Sequence, residues 1–206
     1  LDGSGEDLVR AAEDWTLGTG FEHLTLTGGA SLRGSGNALG NAILGNTGSN
    51  TLAGLAGEDT LSGGAGFDEA NYGNETAGVL VNLLAGTGPG GDSIGADIEA
   101  IRGGSGNDTL VGNNAINALF GGAGADSLVG GAGFGTLEGG AGNDTMTGGA
   151  GFAYVDYRAS AAAIAVTIGG IGSGGDAAGE IVDLEAGSLE SNPTGVGAGA
   201  HAWDVQ

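Results

Sequence analysis

Residues 103–156 read GGSGNDTLV, GNNAINALF, GGAGADSLV, GGAGFGTLE, GGAGNDTMT and GGAGFAYVD, six nonapeptides end to end. The eighth position is apolar in every one: Leu110, Leu119, Leu128, Leu137, Met146 and Val155. One inward side chain flanked by two outward ones describes a short strand, and the glycines before it supply the positive φ and close backbone approach of a turn. Such a unit cannot bury its apolar side chain alone. The period therefore predicts an all-β solenoid, in which stacked units enclose a narrow ladder of Leu, Met and Val between two short parallel sheets.

Outward from this block, a second one, GNTGSNTLA, GLAGEDTLS and GGAGFDEAN, spans 45–71 and follows a degenerate unit that begins at Gly36. The two blocks repeat each other at a displacement of 85: GGAGF at 63–67 returns at 148–152, and Tyr72 returns as Tyr157. Val79, Val81 and Leu83 return as Ile164, Val166 and Ile168, and PGGD at 89–92 parallels SGGD at 173–176. These segments read as period-two strands leading into a glycine turn. Asp92 and Asp176 read as turn residues, with metal ligation the alternative. Apolar–Glu pairs close the units at Ile98-Glu99 and Leu184-Glu185, and Phe21-Glu22 reads as the end of a preceding copy.

The chain thus divides into 1–35, a frayed start or the end of a preceding module; 36–71, the first nonapeptide block; 72–102, an inserted β segment; 103–156, the second block; 157–191, a second insert; and 192–206, a linker or truncated next module. The stretch DLVRAAEDW at 7–15 is left open between a helical turn and a strand edge.

Composition narrows the function. Glycine supplies 50 of 206 residues, but it lacks the three-residue period of collagen, and only 2 prolines accompany it. Four Arg and no Lys face 25 acidic residues, for a net charge of −21, which repels nucleic-acid phosphates and anionic membrane surfaces. The surplus of carboxylate calls for a cation, and hard oxygen ligands favour calcium or magnesium over zinc or copper. There is no Cys, and the two His, His23 and His201, stand far apart, so soft-metal sites and disulfides are excluded. No apolar run reaches the ~18 residues of a membrane span, and residues 1–20 carry no signal-peptide pattern. A chain that begins at Leu1 reads as a piece of something longer, with any export signal outside this window.

The repeat resembles GGxGxDxUx, with U a large apolar residue, of the repeats-in-toxin (RTX) or hemolysin-type calcium-binding repeat family. GGSGNDTLV and GGAGADSLV match at every fixed position, and GGAGNDTMT matches with Met in the apolar place. The resemblance implies a right-handed parallel β-roll, two nonapeptides per coil, with Ca2+ held in the turns. Turns 18 residues apart then share an edge, and the sixth-position residues sort into rows: Asp108, Asp126 and Asp144 on one edge, Asn117, Gly135 and Ala153 on the other. The second row has lost every carboxylate.

The family's ligand pattern, carried onto these turns, implies two calcium sites. One uses Gly104, Gly106 and Asp108 with Gly121, Ala123 and Asp126. The other uses Gly122, Gly124 and Asp126 with Gly139, Ala141 and Asp144, so that Asp126 is shared. Asn50 and Asp68, also 18 apart, imply a weaker third site, while Asp59 faces Asn41 of the degenerate unit. The competing reading is that these aspartates only form Asx-turns. Against it, a row of carboxylates is self-repulsive without a cation, so binding and folding should be coupled.

Catalysis finds no support: there is neither a metalloprotease HExxH nor a hydrolase GxSxG, and His23 in FEHLTL reads as a surface strand residue. The expectation is a non-enzymatic, calcium-stabilised module of a secreted or cell-surface bacterial protein with a structural or adhesive role, as in an adhesin or surface layer. The resemblance implies export through type I secretion while unfolded, then folding at external calcium. Alternatives are self-assembly of copies into filaments or layers, ice or polysaccharide binding by the lattice of Thr109, Ser127 and Thr145 beside Val111, Val129 and Thr147, and an accessory domain of a secreted enzyme.

Overall fold

The computed structural model describes residues 5–149 and 151–156 and, as backbone, Ile181–Asp183. Within them the chain alternates between two faces of a parallel β-solenoid. One face carries Leu8–Ala11 (β1), His23–Leu26 (β3), Ala42–Leu44 (β5), Thr60–Ser62 (β7) and Ser93–Ile94 (β10). Beyond a break it continues with Leu80–Asn82 (β9), Thr109–Val111 (β12), Ser127–Val129 (β14) and Thr145–Thr147 (β16). The opposite face runs unbroken through Trp15–Thr16 (β2), Arg33–Ser35 (β4), Thr51–Ala53 (β6), Glu69–Asn71 (β8), Ala100–Arg102 (β11), Asn117–Ala123 (β13), Gly135–Ala141 (β15), Ala153–Asp156 (β17) and Ile181–Asp183 (β18).

The predicted ladder is the core. Leu110 lies in register with Leu128 and Leu128 with Met146; across the roll, Leu119 pairs with Leu137 and Leu137 with Val155. Leu110, Leu119, Leu128 and Leu137 are wholly buried, as are Leu52 and Leu61 of the first block. Their neighbours point outward because adjacent strand residues face opposite ways.

The insert keeps its predicted alternation, with Val79, Val81 and Leu83 buried and Leu80 and Leu84 exposed. Its path explains the break in one face. β9 pairs forward with β12, whereas β10 pairs back with β7. Thr87 lies antiparallel between them, bridged to Asn82 and to Ser93. A tight reversal closes each bridge; the Asn82 N–H donates to the Thr87 carbonyl at 2.8 Å. On the unbroken face, β8 pairs directly with β11.

The segment 1–35, read as a frayed start or the end of a preceding module, is stacked over its described part: β1 to β4 are full members of the solenoid, and Leu24, Leu26 and Leu32 are buried. The period is hidden there because the coil length changes, His23 registering with Ala42 at a spacing of 19 (42 − 23) and Ala42 with Thr60 at 18 (60 − 42). The stretch 7–15 accordingly forms strand β1 and the start of β2, with no helical turn. Strands are also longer than the repeat suggests at β13 and β15, 7 residues each, because the ladder continues around the corner through the pairs Gly122–Gly140 and Ala123–Ala141.

Tyr157, Ile164, Val166, Ile168, Asp176, the pair Leu184-Glu185, His201 and the segment 192–206 lie outside the described residues.

Candidate metal centre

A sixth-position side chain sits where a turn enters a strand, and the backbone there has an N–H with no partner in its own coil. The next coil supplies one. Oδ1 of Asp126 accepts the N–H of Asp108 at 2.8 Å, and Oδ1 of Asp144 accepts the N–H of Asp126 at 3.0 Å. In the first block, Asp59 accepts from Asn41 at 2.7 Å and Asp68 from Asn50 at 2.6 Å. Each carboxylate is thereby fixed against the turn 18 residues before it, and its second oxygen is left to point into its own turn.

That second oxygen decides what the turn can hold. In Asp108 it accepts the N–H of Gly104 at 2.7 Å. In Asp59, Asp68 and Asp126 it is buried and has no hydrogen-bond partner. An unpaired buried carboxylate oxygen is costly unless the group binds a proton or a cation. Burial, and then the charges of Asp108 and Asp144, push the Asp126 carboxyl up to about 6. Burial likewise raises Asp59 and Asp68, with Asp92 and Asp97 respectively adding to the effect.

The glycines around these oxygens leave room that any side chain would fill. A Cβ on Gly121 would collide with Oδ2 of Asp126 and approach the carbonyl of Gly139, and one on Gly103 would collide with Oδ2 of Asp108 and the carbonyl of Gly121. The carbonyls of Gly104 and Gly106 face Gly122 and Gly124, whose φ values of +108° and +127° only glycine adopts without strain. Gly104, Gly106 and Asp108 therefore lie in one turn before β12, stacked on Gly121, Gly122, Ala123, Gly124 and Asp126 before β14, with Gly139, Ala141 and Asp144 before β16 on the far side. The Gly104 carbonyl also accepts the N–H of Ala123, and the Ala141 carbonyl that of Gly124.

Among the described residues no group of three or more His, Cys, Asp or Glu side chains forms a metal cage. Backbone carbonyls with one or two carboxylates are instead the donor set that suits a hard cation such as calcium. The residues present fit that ion, on the strength of the orphaned Asp126 oxygen and the glycine-lined space beside it.

The other edge divides between blocks. Asn117 spends its amide oxygen on the N–H of Asn113 at 2.7 Å, and Gly135 and Ala153 have nothing to offer. The side chains one position earlier, Phe134 and Phe152, stack instead, with centroids 5.2 Å apart and planes 7° from parallel. Asn50 stands beside Asp68 as the spacing implies, but its amide oxygen already accepts the N–H of Asn46 at 2.7 Å.

The sequence reading did not see how the insert enters these ladders. Asp92 Oδ1 accepts the N–H of Asp59 at 2.9 Å and its Oδ2 accepts the Tyr72 hydroxyl at 3.0 Å, all three residues being buried. Glu99 Oε2 accepts the N–H of Asp68 at 2.9 Å, and Glu22 Oε2 accepts the N–H of Asp7 at 2.9 Å. The apolar–Glu pair is thus the insert's substitute for the sixth-position Asp, a signal present in the sequence without a meaning attached to it. Val79 takes the corresponding place before β9 and has no carboxylate, so the acidic row is interrupted there.

A parallel solenoid with acidic, glycine-walled turns at every second corner is the architecture of a calcium-binding β-roll. The family model of the RTX calcium-binding nonapeptide repeat matches residues 35–70, 102–137 and 120–152, with four copies. Residues 35–70 and 102–152 are repeats of the RTX calcium-binding type. No curated protein matches it.

Proposed function

We propose that this calcium-binding β-roll is a conditionally folding, non-catalytic module of a secreted or cell-surface bacterial protein, with a structural or adhesive role. The observation that carries the reading is the set of three buried aspartates, each with one oxygen unpaired, in a chain of net charge −21. Without a cation these groups oppose the stacking that buries them; with calcium they join one turn to the next. Extracellular modules bind calcium at about 10⁻⁴–10⁻³ M, so the chain stays unfolded at cytosolic calcium, passes a type I secretion channel, and folds outside. No helix among the described residues is long and apolar enough to cross a membrane.

The outward lattice gives a second, narrower reading. Thr109, Ser127 and Thr145 stand in register, beside Val111, Val129 and Thr147. Such an array suits a repetitive surface, ice or polysaccharide, although strand propensity also favours Thr and Val.

Far-UV circular dichroism during calcium titration, with magnesium as control, tests the main reading. A coil-to-β transition near millimolar calcium, shifted to higher calcium in Asp126→Ala, is expected. A chain already β-rich in chelator and unresponsive to calcium would refute conditional folding.

A further inference from the structure

The insert carries two carboxylates, Asp97 and Glu99, that lie outside the nonapeptide pattern, and both fold onto the turn that contains Asp68. Glu99 holds the N–H of Asp68, the place that a sixth-position Asp takes elsewhere. Asp97 is fastened to the same turn from its other side, Oδ2 accepting the Ser62 hydroxyl and the Gly64 N–H, each at 2.8 Å. The carbonyl oxygen of Asp97 and Oδ2 of Asp68 border one space, beside Gly63, where a Cβ would meet both. The arrangement is that of Gly121, where the Gly139 carbonyl and Oδ2 of Asp126 meet in the same way.

Asp68 is fully buried and its Oδ2 has no partner. Burial first, then the Asp97 charge, pushes its carboxyl up; Glu99 is raised by burial and by the charges of Asp68 and Asp97. Asp97 moves down despite burial, because the Gly64 N–H and Ser62 hydroxyl hold it ionised. Among the described residues no Arg pairs with any of the three; the Arg102 guanidinium is engaged by Glu69. The side chains do not close on a point by themselves, so the set resembles the repeat turns, in which carbonyls complete the donors.

We propose a cation site for calcium at this corner, formed by Asp68 Oδ2 and the Asp97 carbonyl, with Glu99 in place of the sixth-position Asp and the Asp97 carboxylate balancing charge. The insert then completes the first block's metal edge, supplying the half-site that a repeat turn would otherwise provide. All-oxygen donors select calcium over softer metals. The inference rests on the calcium-binding reading of the module, and it replaces Asn50 by the insert as the partner of Asp68.

Calcium bound to the full chain, counted by equilibrium dialysis and atomic emission, tests it. The Asp97→Asn, Glu99→Gln double variant should bind one ion fewer than the parent while keeping the parent's circular dichroism in saturating calcium. An unchanged count in the double variant, beside a reduced count in Asp126→Asn, overturns this site and leaves the module reading intact. A parent that binds no calcium overturns both. Anomalous diffraction from parent crystals grown in calcium is independent of how the variants fold. A calcium peak beside Asp68 Oδ2 supports the site, and its absence there overturns it.

Discussion

Leu55 occupies the second position of GLAGEDTLS, where the other nonapeptides have glycine or asparagine, and it carries the glycine conformation, with φ +75°. A side chain in the left-handed region costs roughly 1–2 kcal/mol, and nothing offsets it here, because Leu55 is exposed. Leu55→Gly should therefore stabilise the folded module by about 0.5–1 kcal/mol once the extra freedom of glycine in the unfolded chain is subtracted, read as a higher urea midpoint in calcium. Asp126 makes a second prediction at this scale. Burial holds its folded carboxyl up at about 6, above the ordinary carboxylate range, so its stabilising protonation is complete at low pH and is lost as pH rises through the folded value. Asp59, Asp68, Asp92 and Glu99 are raised in the same sense. In chelator the β content read by circular dichroism should therefore be higher near pH 4 and fall by about pH 7, and Asp126→Asn should flatten that fall. With calcium present the dependence should reverse, because protons then compete with the ion.

The elements are so short that a strand contributes little more than one core side chain and one rung of hydrogen bonds. Corner chemistry consequently decides how well coils stack, and the two corners of the second block use different means. The Asp108–Asp126–Asp144 edge relies on carboxylates, whereas the opposite edge places Phe134 on Phe152. Such a pair contributes about 0.5–1.5 kcal/mol beyond its area. A double-mutant cycle of Phe134→Ala and Phe152→Ala, read by urea unfolding in saturating calcium, should return a coupling energy in that range. A coupling near zero would mean that the two rings stack without stabilising the edge.

For the whole molecule, a charge of −21 on a narrow solenoid makes self-repulsion a global opponent of folding. At 1 M salt the Debye length is about 3 Å, shorter than the spacing of coils in the stack. Raising NaCl from about 0.05 to about 1 M should accordingly increase the β content that circular dichroism reads in chelator, and should change the urea midpoint in saturating calcium little. A midpoint in calcium that also rises would place the repulsion away from the calcium corners. The break in one face, where β9 and β10 meet through Thr87, also separates two acidic runs, Asp59 with Asp92 before it and Asp108 to Asp144 after it. The module is thus two acidic stacks sharing one continuous sheet.

The nonapeptide period by itself determined the solenoid and the inward Leu ladder, because each follows from a local pattern repeated at a fixed offset; the carboxylate row at Asp108, Asp126 and Asp144 followed once the resemblance to RTX repeats implied two nonapeptides per coil. The coils of residues 8–35 were not legible, since a single added residue shifts the register while leaving the inward side chains apolar. Only the tertiary structure decided which acids close the ladders of the first block. Asp59 finds Asp92 at a separation of 33 residues, and Asp68 finds Glu99 at 31. A buried N–H requires an acceptor in space and is indifferent to distance along the chain, so an insert that loops out and returns can supply it from a position that no repeat predicts.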